Sequence, residues 1–212
     1  MKKIVLIFLV LVFASLIINV WFFPQLPDKI ASHWNIRGEV DGYSSKFLGL
    51  FLMPLILIIT GLLFIIIPKI DPLKENIGKF KKYYDTFTVL MFVFIFLLHL
   101  QIVLWNLNIK ITPNSTLPVG IGLLFFYVGV LCKNSKRNWF IGIRTPWTLS
   151  NEVVWDKTHQ LGGWLFKISG FISLTGIIFH NWTIFFIVVP VFLTAVTTFI
   201  YSYFEYKKQI KV

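Results

Sequence analysis

Long apolar runs separated by short polar segments dominate the chain, and six of them stand out as candidate membrane helices. Most hold about 20 residues, which at about 1.5 Å per residue lets a helix cross about 30 Å of hydrocarbon. The runs cover residues 4–23, 47–67, 86–107, 117–132, 161–179 and 182–204. We therefore predict an all-α fold, a polytopic integral membrane bundle of six transmembrane helices.

Two of the runs differ from the simple pattern. Run 117–132 follows Pro113 and Pro118 and holds 16 residues, so its helix is expected to be short, tilted or partly re-entrant. Run 4–23 follows two lysines in the manner of a signal peptide, but it is too long for the apolar part of one. We interpret it as a retained helix.

Lysine and arginine fall unevenly on the two sides of these runs. One side carries 15 of them, including Lys211, the other carries four, and Lys167 lies inside the fifth run. Basic residues accumulate in short cytoplasmic segments. We therefore predict that both termini, the second loop and the fourth loop are cytoplasmic, and that the first, third and fifth loops are outside. Lys167 is expected to extend back to the cytoplasmic surface.

Composition supports the membrane class and narrows the partners. The chain is 57% hydrophobic and 14% charged, which leaves too few charges for the surface of a soluble domain. Its net charge of +11 would suggest nucleic acid in a soluble protein, but here the basic residues orient the chain and meet lipid headgroups. We predict a lipid bilayer partner and no direct nucleic-acid binding. With Cys132 alone, no intrachain disulfide forms.

Some polar and small residues lie inside the runs. His99 and Gln101 are expected to face the bundle and to hydrogen-bond another helix, with a proton-linked role for His99 as the alternative. Four small residues of the fifth run share one helical stripe, which predicts close approach of a neighbouring helix. They are Gly162, Ser169, Ser173 and Gly176.

The first polar loop, residues 24–46, is compact and mixed in charge. Its prolines and glycines predict turns rather than helix. Trp34 and Tyr43 are of the type that lies at the headgroup boundary. The loop is interpreted either as an interfacial cap over the helices or as a binding surface.

The fourth polar loop, residues 133–160, is the most distinctive segment. Thr148 is predicted to cap a short interfacial helix that ends near His159. One face of that helix would gather an imidazole, an indole and two carboxylates, from His159, Trp155, Glu152 and Asp156. Metal binding or proton shuttling is one interpretation, and a face that simply meets water is the other. Because the sequence has no H-E-x-x-H pattern, no metal site and no cofactor is predicted.

Arg144 is the stronger candidate for a specific role in this loop. Its planar guanidinium would bind a carboxylate, a lipid phosphate or helix-end carbonyls, and the sequence does not choose among them. No nucleophile arrangement, phosphate-cradling glycine loop or carboxylate pair is evident, so the chain is not predicted to be an enzyme.

Both polar loops resemble those of the SdpI family of bacterial membrane immunity proteins. The first loop, with LPDKIASHWNIRGEVDGYSSK, resembles the family's upstream domain of the DUF1648 type. The fourth, with NWFIGIRTPWTLSNEVVWDKTHQLGG, resembles its signature, and IPKIDP at residues 67–72 also fits. The resemblance implies an N-terminal domain over residues 1–70 and an SdpI-like domain over residues 71–212.

The resemblance also implies a function and a location. Members of the family resist a secreted, membrane-active peptide toxin, which implies a multi-pass protein of the bacterial cytoplasmic membrane that binds such a toxin. In the type member, the toxin-bound protein also captures a small cytoplasmic transcriptional repressor, which is an implied second partner. Gln160 stands where the type member has an arginine. A small membrane transporter or exporter of a peptide or lipid is the alternative function.

We predict that the two motifs form ligand-binding surfaces on opposite sides of the membrane. The outer surface comprises His33, Trp34, Asn35, Gly38, Asp41 and Lys46. The inner surface comprises Asn138, Phe140, Gly142, Arg144, Thr145, Pro146, Trp147, Asn151, Trp155 and His159. On this hypothesis the outer loop and the helix crevices engage the toxin, and the inner loop stabilises the bundle or presents a docking surface.

Overall fold

The computed structural model describes residues 2–210, which form eight α-helices and one two-stranded hairpin. In chain order they are α1 (Lys2–Phe22), β1 (Lys29–Trp34), β2 (Val40–Ser45), α2 (Lys46–Ile70), α3 (Lys74–Lys79), α4 (Lys81–Asn106), α5 (Pro113–Asn134), α6 (Pro146–Ser150), α7 (Glu152–Thr175) and α8 (Thr183–Ile210). Lys211, which was counted among the cytoplasmic charges, lies outside the described residues.

Helices of membrane-spanning length make up most of the described chain. Five of them are both long and apolar enough to cross a bilayer: α1, α2, α4, α5 and α8. These helices confirm the prediction of a polytopic helical membrane protein. The helix α7 has 24 residues but a more polar composition, because its first turns carry Glu152, Asp156 and Lys157.

The fourth apolar run forms a longer helix than its hydrophobic residues suggested. α5 has 22 residues, about 33 Å at the usual rise per residue, and is long enough to span. It begins at Pro113 rather than at Leu117, since proline is well accepted in the first turn of a helix. The expectation of a short helix was therefore wrong.

The first loop contains β-structure, which corrects the all-α prediction. Strands β1 and β2 pair antiparallel, with Lys29 opposite Ser45 and Trp34 opposite Val40. A turn from Asn35 to Glu39 joins them, closed by a hydrogen bond from the Asn35 N–H to the Glu39 carbonyl (2.8 Å). The proline and glycine residues correctly indicated turns, but the segments between them are extended rather than irregular.

Helices α1, α2 and α4, hereafter the first group, pack through large apolar side chains. Phe8 of α1 lies against Phe92 of α4, with ring centroids 5.5 Å apart, and its ring occupies the space beside Gly61 of α2. The buried apolar cluster comprises Ile4, Phe8, Val12, Leu57, Phe92 and Ile95. Side chains therefore fill the space between these three backbones.

Helices α5, α7 and α8, hereafter the second group, pack through small residues. Gly122 and Gly129 of α5 face Gly170 and Gly163 of α7, and a Cβ at Gly170 would lie 2.5 Å from the carbonyl oxygen of Gly122. The two backbones are thus in direct contact, as small residues permit in membrane bundles.

The predicted small-residue stripe of α7 faces α8. The hydroxyls of Ser169 and Thr194 are 3.0 Å apart, and the Ser173 hydroxyl donates to the carbonyl of Phe186 (3.4 Å). A neighbouring helix therefore lies along this stripe, as expected. The two groups of helices meet where α4 packs against α5.

Two polar side chains of α4 are buried between helices, as predicted. The Nε2 of His99 donates to Oδ1 of Asn19 (2.7 Å), whose amide donates in turn to the carbonyl of Leu50 (2.9 Å). Gln101 donates to the Ile111 carbonyl (3.0 Å) and accepts from the Thr116 hydroxyl (2.8 Å). These bonds connect α1 with α2 and α4, and α4 with α5.

The helix predicted inside the fourth loop is not separate. Thr148 lies within the short helix α6, which Thr145 caps, whereas Asn151 caps α7 by accepting from the N–H groups of Val153 and Val154 (2.9 and 3.1 Å). α7 then continues without interruption to Thr175. The prediction of a short interfacial helix ending near His159 was therefore wrong, because Thr148 lies inside α6 and Asn151, three residues later, is the N-cap that starts the long helix.

Candidate functional site

The hairpin is fixed over the ends of α4 and α5 by two asparagines. The amide of Asn106 accepts from the Ala31 N–H (2.8 Å) and donates to the Ala31 carbonyl (3.0 Å), as a neighbouring strand would. The amide of Asn114 donates to the carbonyls of Ile36 (2.9 Å) and His180 (2.8 Å). The hairpin is therefore held by both groups of helices.

Neighbouring residues of β1 point to opposite sides of the hairpin. His33 is largely exposed and its Nδ1 lies 2.5 Å from Oδ1 of Asp41 on β2. Trp34 is half-buried and packs edge-on against Trp105 of α4, with ring centroids 5.5 Å apart. Of the predicted outer residues, His33 and Asp41 thus form an exposed pair, whereas Trp34 anchors the hairpin.

Other predicted outer residues shape the turn. The Asn35 side chain accepts from the N–H groups of Arg37 (2.9 Å) and Glu39 (3.1 Å), and Gly38 has a positive φ of 77°, which favours glycine. Hydrogen bonds from Asn35 and Arg37 hold the pKa of the Glu39 carboxyl below its usual value. Asn35 and Gly38 therefore have structural roles.

Lys46 closes the base of the hairpin. Its ammonium lies 3.1 Å from Oδ1 of Asp28 and 4.8 Å from the centroid of the Phe23 ring. Its backbone N–H donates to the Asp28 carbonyl (2.9 Å). Lys46, which was predicted to bind a ligand, thus uses its ammonium and its backbone N–H for contacts within the protein.

A crevice runs between α4 and α5 beneath the hairpin. We define the outer crevice as two adjoining cavities, of about 390 Å³ and about 200 Å³, that share Leu98 and Gln101. The larger is lined mostly by apolar residues, including Leu97, Val119 and Leu123. The smaller reaches His33 and Trp34 of the hairpin. The outer crevice thus joins the predicted outer surface to the interior of the bundle.

Asn138 organises the inner loop. Its amide donates to the carbonyls of Lys136 (2.8 Å) and Ile141 (2.9 Å), and its side-chain oxygen accepts from the N–H groups of Phe140 (3.0 Å) and Ile141 (2.6 Å). Asn138 is fully buried. Its hydrogen-bonding groups are therefore used by the loop, which assigns it a structural role.

His159 and Trp155 form a buried wedge below the same loop. Their rings stack with centroids 3.9 Å apart. The His159 Nδ1 donates to the Trp155 carbonyl (2.8 Å), and its Nε2 accepts from the Ile143 N–H (2.9 Å), so the imidazole is neutral. Gly142, with φ of 114°, leaves the space that His159 fills, because a Cβ there would collide with Nε2.

Thr145, Pro146 and Trp147 attach the loop to α8. Thr145 and Thr148 exchange capping hydrogen bonds around α6, and the Thr145 hydroxyl donates to that of Ser202 (3.0 Å). Proline at the first position of α6 suits the start of a helix. Trp147 packs against Phe199 and Tyr203, each with ring centroids 5.1 Å away.

The acidic residues of the predicted polar face do not gather around His159. Glu152 lies 3.5 Å from the guanidinium of Arg137, and Asp156 lies 3.6 Å from the ammonium of Lys136. Within residues 2–210, no three His, Cys, Asp or Glu side chains are placed to hold a metal ion. The carboxylates of Glu152 and Asp156 therefore lie apart from the His159 imidazole, although helical spacing predicted that they share one face.

Arg144 is exposed and contacts its own loop. Its Nη1 donates to the Trp139 carbonyl (2.9 Å), which corresponds to the carbonyl-binding alternative among the three predicted for it. Trp139 and Phe140 beside it are also exposed. These three neighbouring side chains form an exposed patch on the inner loop.

Sequence reasoning missed Asp71, which joins the two groups of helices at the end of the bundle that carries the fourth loop. Its carboxylate accepts from the N–H groups of Leu73 (2.6 Å) and Trp139 (2.9 Å), and it is almost fully buried. Asn76 adds a bond to the carbonyl of Arg137 (2.9 Å). The IPKIDP segment contained the signal, since it joins an acid to the end of an apolar run.

Comparison with known proteins places both polar motifs in matched regions. Residues 10–58 match DUF1648, a domain of unknown function, and residues 134–202 match the SdpI/YfhL protein family. Immunity protein SdpI of Bacillus subtilis (strain 168) is 25% identical over 209 residues, which cover 98% of each protein. The resemblance to the SdpI family is confirmed. The SdpI/YfhL match contains the predicted inner residues, and the DUF1648 match contains the outer ones.

The same comparisons bear on location and on domain division. Together with the five helices that are long and apolar enough to span a bilayer, the SdpI similarity identifies a multi-pass cell-membrane protein. The two matches fall on either side of residue 70, and the domain boundary there stays a prediction. No solved structure matches the chain.

Proposed function

We propose that this chain is a membrane immunity protein that protects cells by binding a secreted, membrane-active peptide toxin. Its similarity to Immunity protein SdpI over 98% of both proteins supports the immunity role. The observation that carries the binding mechanism is the outer crevice, which continues from the hairpin to the lipid-facing side of α4 and α5.

The chemistry of the outer crevice suits an amphipathic peptide. Its walls are apolar at Leu97, Val119 and Leu123, whereas Gln101 and Ser115 add polar groups between them. A peptide that enters from the membrane surface would place apolar side chains against the walls and polar groups near the hairpin. Binding in this position would keep the peptide from assembling with others in the bilayer.

A six-helix topology completes the proposal. Helix α7 packs antiparallel between α5 and α8, which are both long and apolar enough to span, and this packing supports a sixth crossing by α7 beside them. Six crossings put both termini on one side, and the lysine and arginine count assigns that side to the cytoplasm. The hairpin and the outer crevice then open to the side from which a secreted toxin arrives.

Filling the outer crevice is the direct test. Val119→Trp should remove most of the protection that the chain gives a toxin-sensitive strain, because the indole would occupy the cavity that Val119 lines. Val188→Trp is the matched control, since it makes the same change at a similar depth on an exposed position of α8. Equal protection by both variants at equal membrane abundance would refute binding in the outer crevice.

Toxin binding and transport make different predictions for the proton gradient. A binding protein should keep its affinity for the toxin and its protection when the gradient is dissipated. A gradient-driven exporter should lose protection while still binding the toxin. Loss of protection with unchanged toxin binding would refute the binding proposal and favour transport.

Cysteine labelling tests the orientation. Cys132 is 3% exposed and should react poorly with a water-soluble maleimide. Tyr43→Cys on the hairpin should label in intact cells, whereas Ser150→Cys in the inner loop should label only after the cells are opened. Labelling of both positions in intact cells would contradict the topology.

Capture of a small cytoplasmic repressor is a second proposed task, favoured by the exposed Trp139 beside Arg144. An exposed indole and a guanidinium are typical of protein-binding surfaces. Trp139→Ala should abolish toxin-dependent induction of a reporter under this gene's own promoter while protection persists. Unchanged induction would remove Trp139 from the docking surface.

A further inference from the structure

Two lysines flank one exposed tryptophan where α5 meets α7. The Lys133 ammonium lies 3.4 Å from the centroid of the Trp164 ring. The Lys167 ammonium lies 5.5 Å from the same centroid and 5.5 Å from that of Phe126. Two positive charges thus converge on one indole.

Glycines on the opposite helices hold the two lysine stems in place. A Cβ at Gly129 of α5 would lie 2.7 Å from Cγ of Lys167, and a Cβ at Gly163 of α7 would collide with Cγ of Lys133. Each stem therefore lies over the glycine of the other helix. The close approach of α5 and α7 fixes both ammonium groups along one seam.

The charge of this seam is uncompensated within the described chain. In residues 2–210, neither Lys133 nor Lys167 has a carboxylate within 4 Å, whereas Lys136 and Lys157 at the same end of the bundle each pair with an acid. Two ammonium groups held close together repel each other. An anion between them would remove that repulsion.

The position of the seam indicates which class of anion it would bind. Trp164 is 59% exposed on the lipid-facing side of the bundle, and indoles of this kind lie at the headgroup boundary. Side chains on a helix point toward its N-terminus, so Lys167 extends toward the inner end of α7, where Lys133 ends α5. Below Trp164, the exposed Ile168 and Phe171 continue an apolar ridge suited to an acyl chain.

We propose that Lys133, Lys167 and Trp164 bind the phosphate of an anionic lipid headgroup at the seam between α5 and α7. The two ammonium groups contact the phosphate oxygens, and the indole packs against the glycerol backbone of the lipid. The acyl chain then follows the ridge of Ile168 and Phe171. This site is separate from the outer crevice and does not depend on toxin binding.

Lipid-dependent thermal unfolding of the purified full chain tests this site. Adding phosphatidylglycerol to the detergent-solubilised protein should raise its Tm, whereas phosphatidylcholine and inorganic phosphate at equal concentration should not. Lys133→Gln with Lys167→Gln should weaken phosphatidylglycerol binding about fivefold for each lysine, or about 25-fold together. Replacing both by arginine should preserve binding, because guanidinium also binds phosphate.

The matched control removes two other lysines from the same end of the bundle. Lys69→Gln with Lys82→Gln makes the same change in net charge at exposed positions without an indole nearby, and should leave lipid binding within about twofold of the original. Equal weakening by both double variants would overturn a specific site. An equal rise in Tm with inorganic phosphate would overturn the assignment to a lipid.

Discussion

In the first group of helices large side chains fill the space between the backbones, whereas in the second group the backbones themselves meet. Gly61 of the first group makes room for the ring of Phe8. Gly170 of the second makes room for the carbonyl oxygen of Gly122 and the backbone nitrogen of Phe126. The same residue type therefore serves two different kinds of contact in one protein.

This difference determines how each group tolerates change. Lipid is as apolar as the helix surfaces, so close packing rather than the hydrophobic effect holds membrane helices together. A ring can rotate away from an added methyl group, but a neighbouring backbone can yield only if the helices separate. The second group should therefore be the less tolerant of added volume.

The largest effect is expected for Gly170→Ala. Its new Cβ would lie 2.5 Å from the Gly122 oxygen and 2.7 Å from the Phe126 nitrogen, so α5 and α7 must move apart. We expect a loss of about 3 kcal/mol in the free energy of unfolding, measured by titration with a denaturing detergent in mixed micelles.

Gly78→Ala provides the control for this substitution. A Cβ at Gly78 in α3 meets nothing within 4 Å, and alanine favours helix, so the variant should be neutral or more stable by up to about 1 kcal/mol. If Gly170→Ala were equally harmless, direct contact between the backbones of α5 and α7 would be wrong.

Phe8→Ala should have the next largest effect, because it empties the core of the first group. Truncating a buried phenylalanine leaves a cavity and removes contacts with Phe92. We expect the free energy of unfolding to fall by about 2 kcal/mol. This loss is smaller than in the core of a water-soluble protein, because the unfolded chain stays in lipid and the ring is not transferred from water on folding. The same titration measures it, and a loss below that of an exposed Phe171→Ala control would contradict the packing role of Phe8.

Gly61→Ala should destabilise the protein by about 1 kcal/mol, since the ring of Phe8 can turn to admit the methyl group. The loss should disappear in a Phe8→Ala background, where the ring is absent. If Gly61→Ala still lowered the free energy of unfolding by about 1 kcal/mol in the Phe8→Ala background, the methyl group would be in conflict with the backbone rather than with the Phe8 ring.

The smallest effect concerns the hydroxyl pair between α7 and α8. A double-mutant cycle with Ser169→Ala and Thr194→Val should give a coupling energy of about 0.6 kcal/mol, typical of hydrogen bonds between membrane helices. A coupling of zero would indicate that the two side chains pack without an energetically significant hydrogen bond.

The helical framework was predictable because its signals are local. Apolar runs of spanning length gave the helices, and the cost of burying polar groups in lipid correctly placed His99 and Gln101 inside the bundle. The hairpin was not predicted because its strands are short and mixed in polarity. It depends on the pairing of Ala31 with Asn106, 75 residues away in sequence.

The candidate site was harder to predict because its residues act through distant contacts. The sequence identified Asn138 and His159 as distinctive, but only the structure shows that loop backbone groups engage their side chains. Asn151 rather than Thr148 starts the long helix, since Thr148 lies inside α6 and its side chain bonds Thr145 and Ile143 of the same loop. The orientation and the ligand-binding roles stay predictions.

The length of α8 places its ionic cluster relative to the bilayer. Its 28 residues extend about 42 Å, roughly 12 Å more than the hydrocarbon thickness. With Trp182 at one boundary, the surplus projects at the other end, where Glu205 lies 2.8 Å from Lys157 and 2.5 Å from Lys208. The overhang keeps this carboxylate in the headgroup zone, and a thicker bilayer would draw it toward the acyl chains, so membrane thickness should influence where the protein resides.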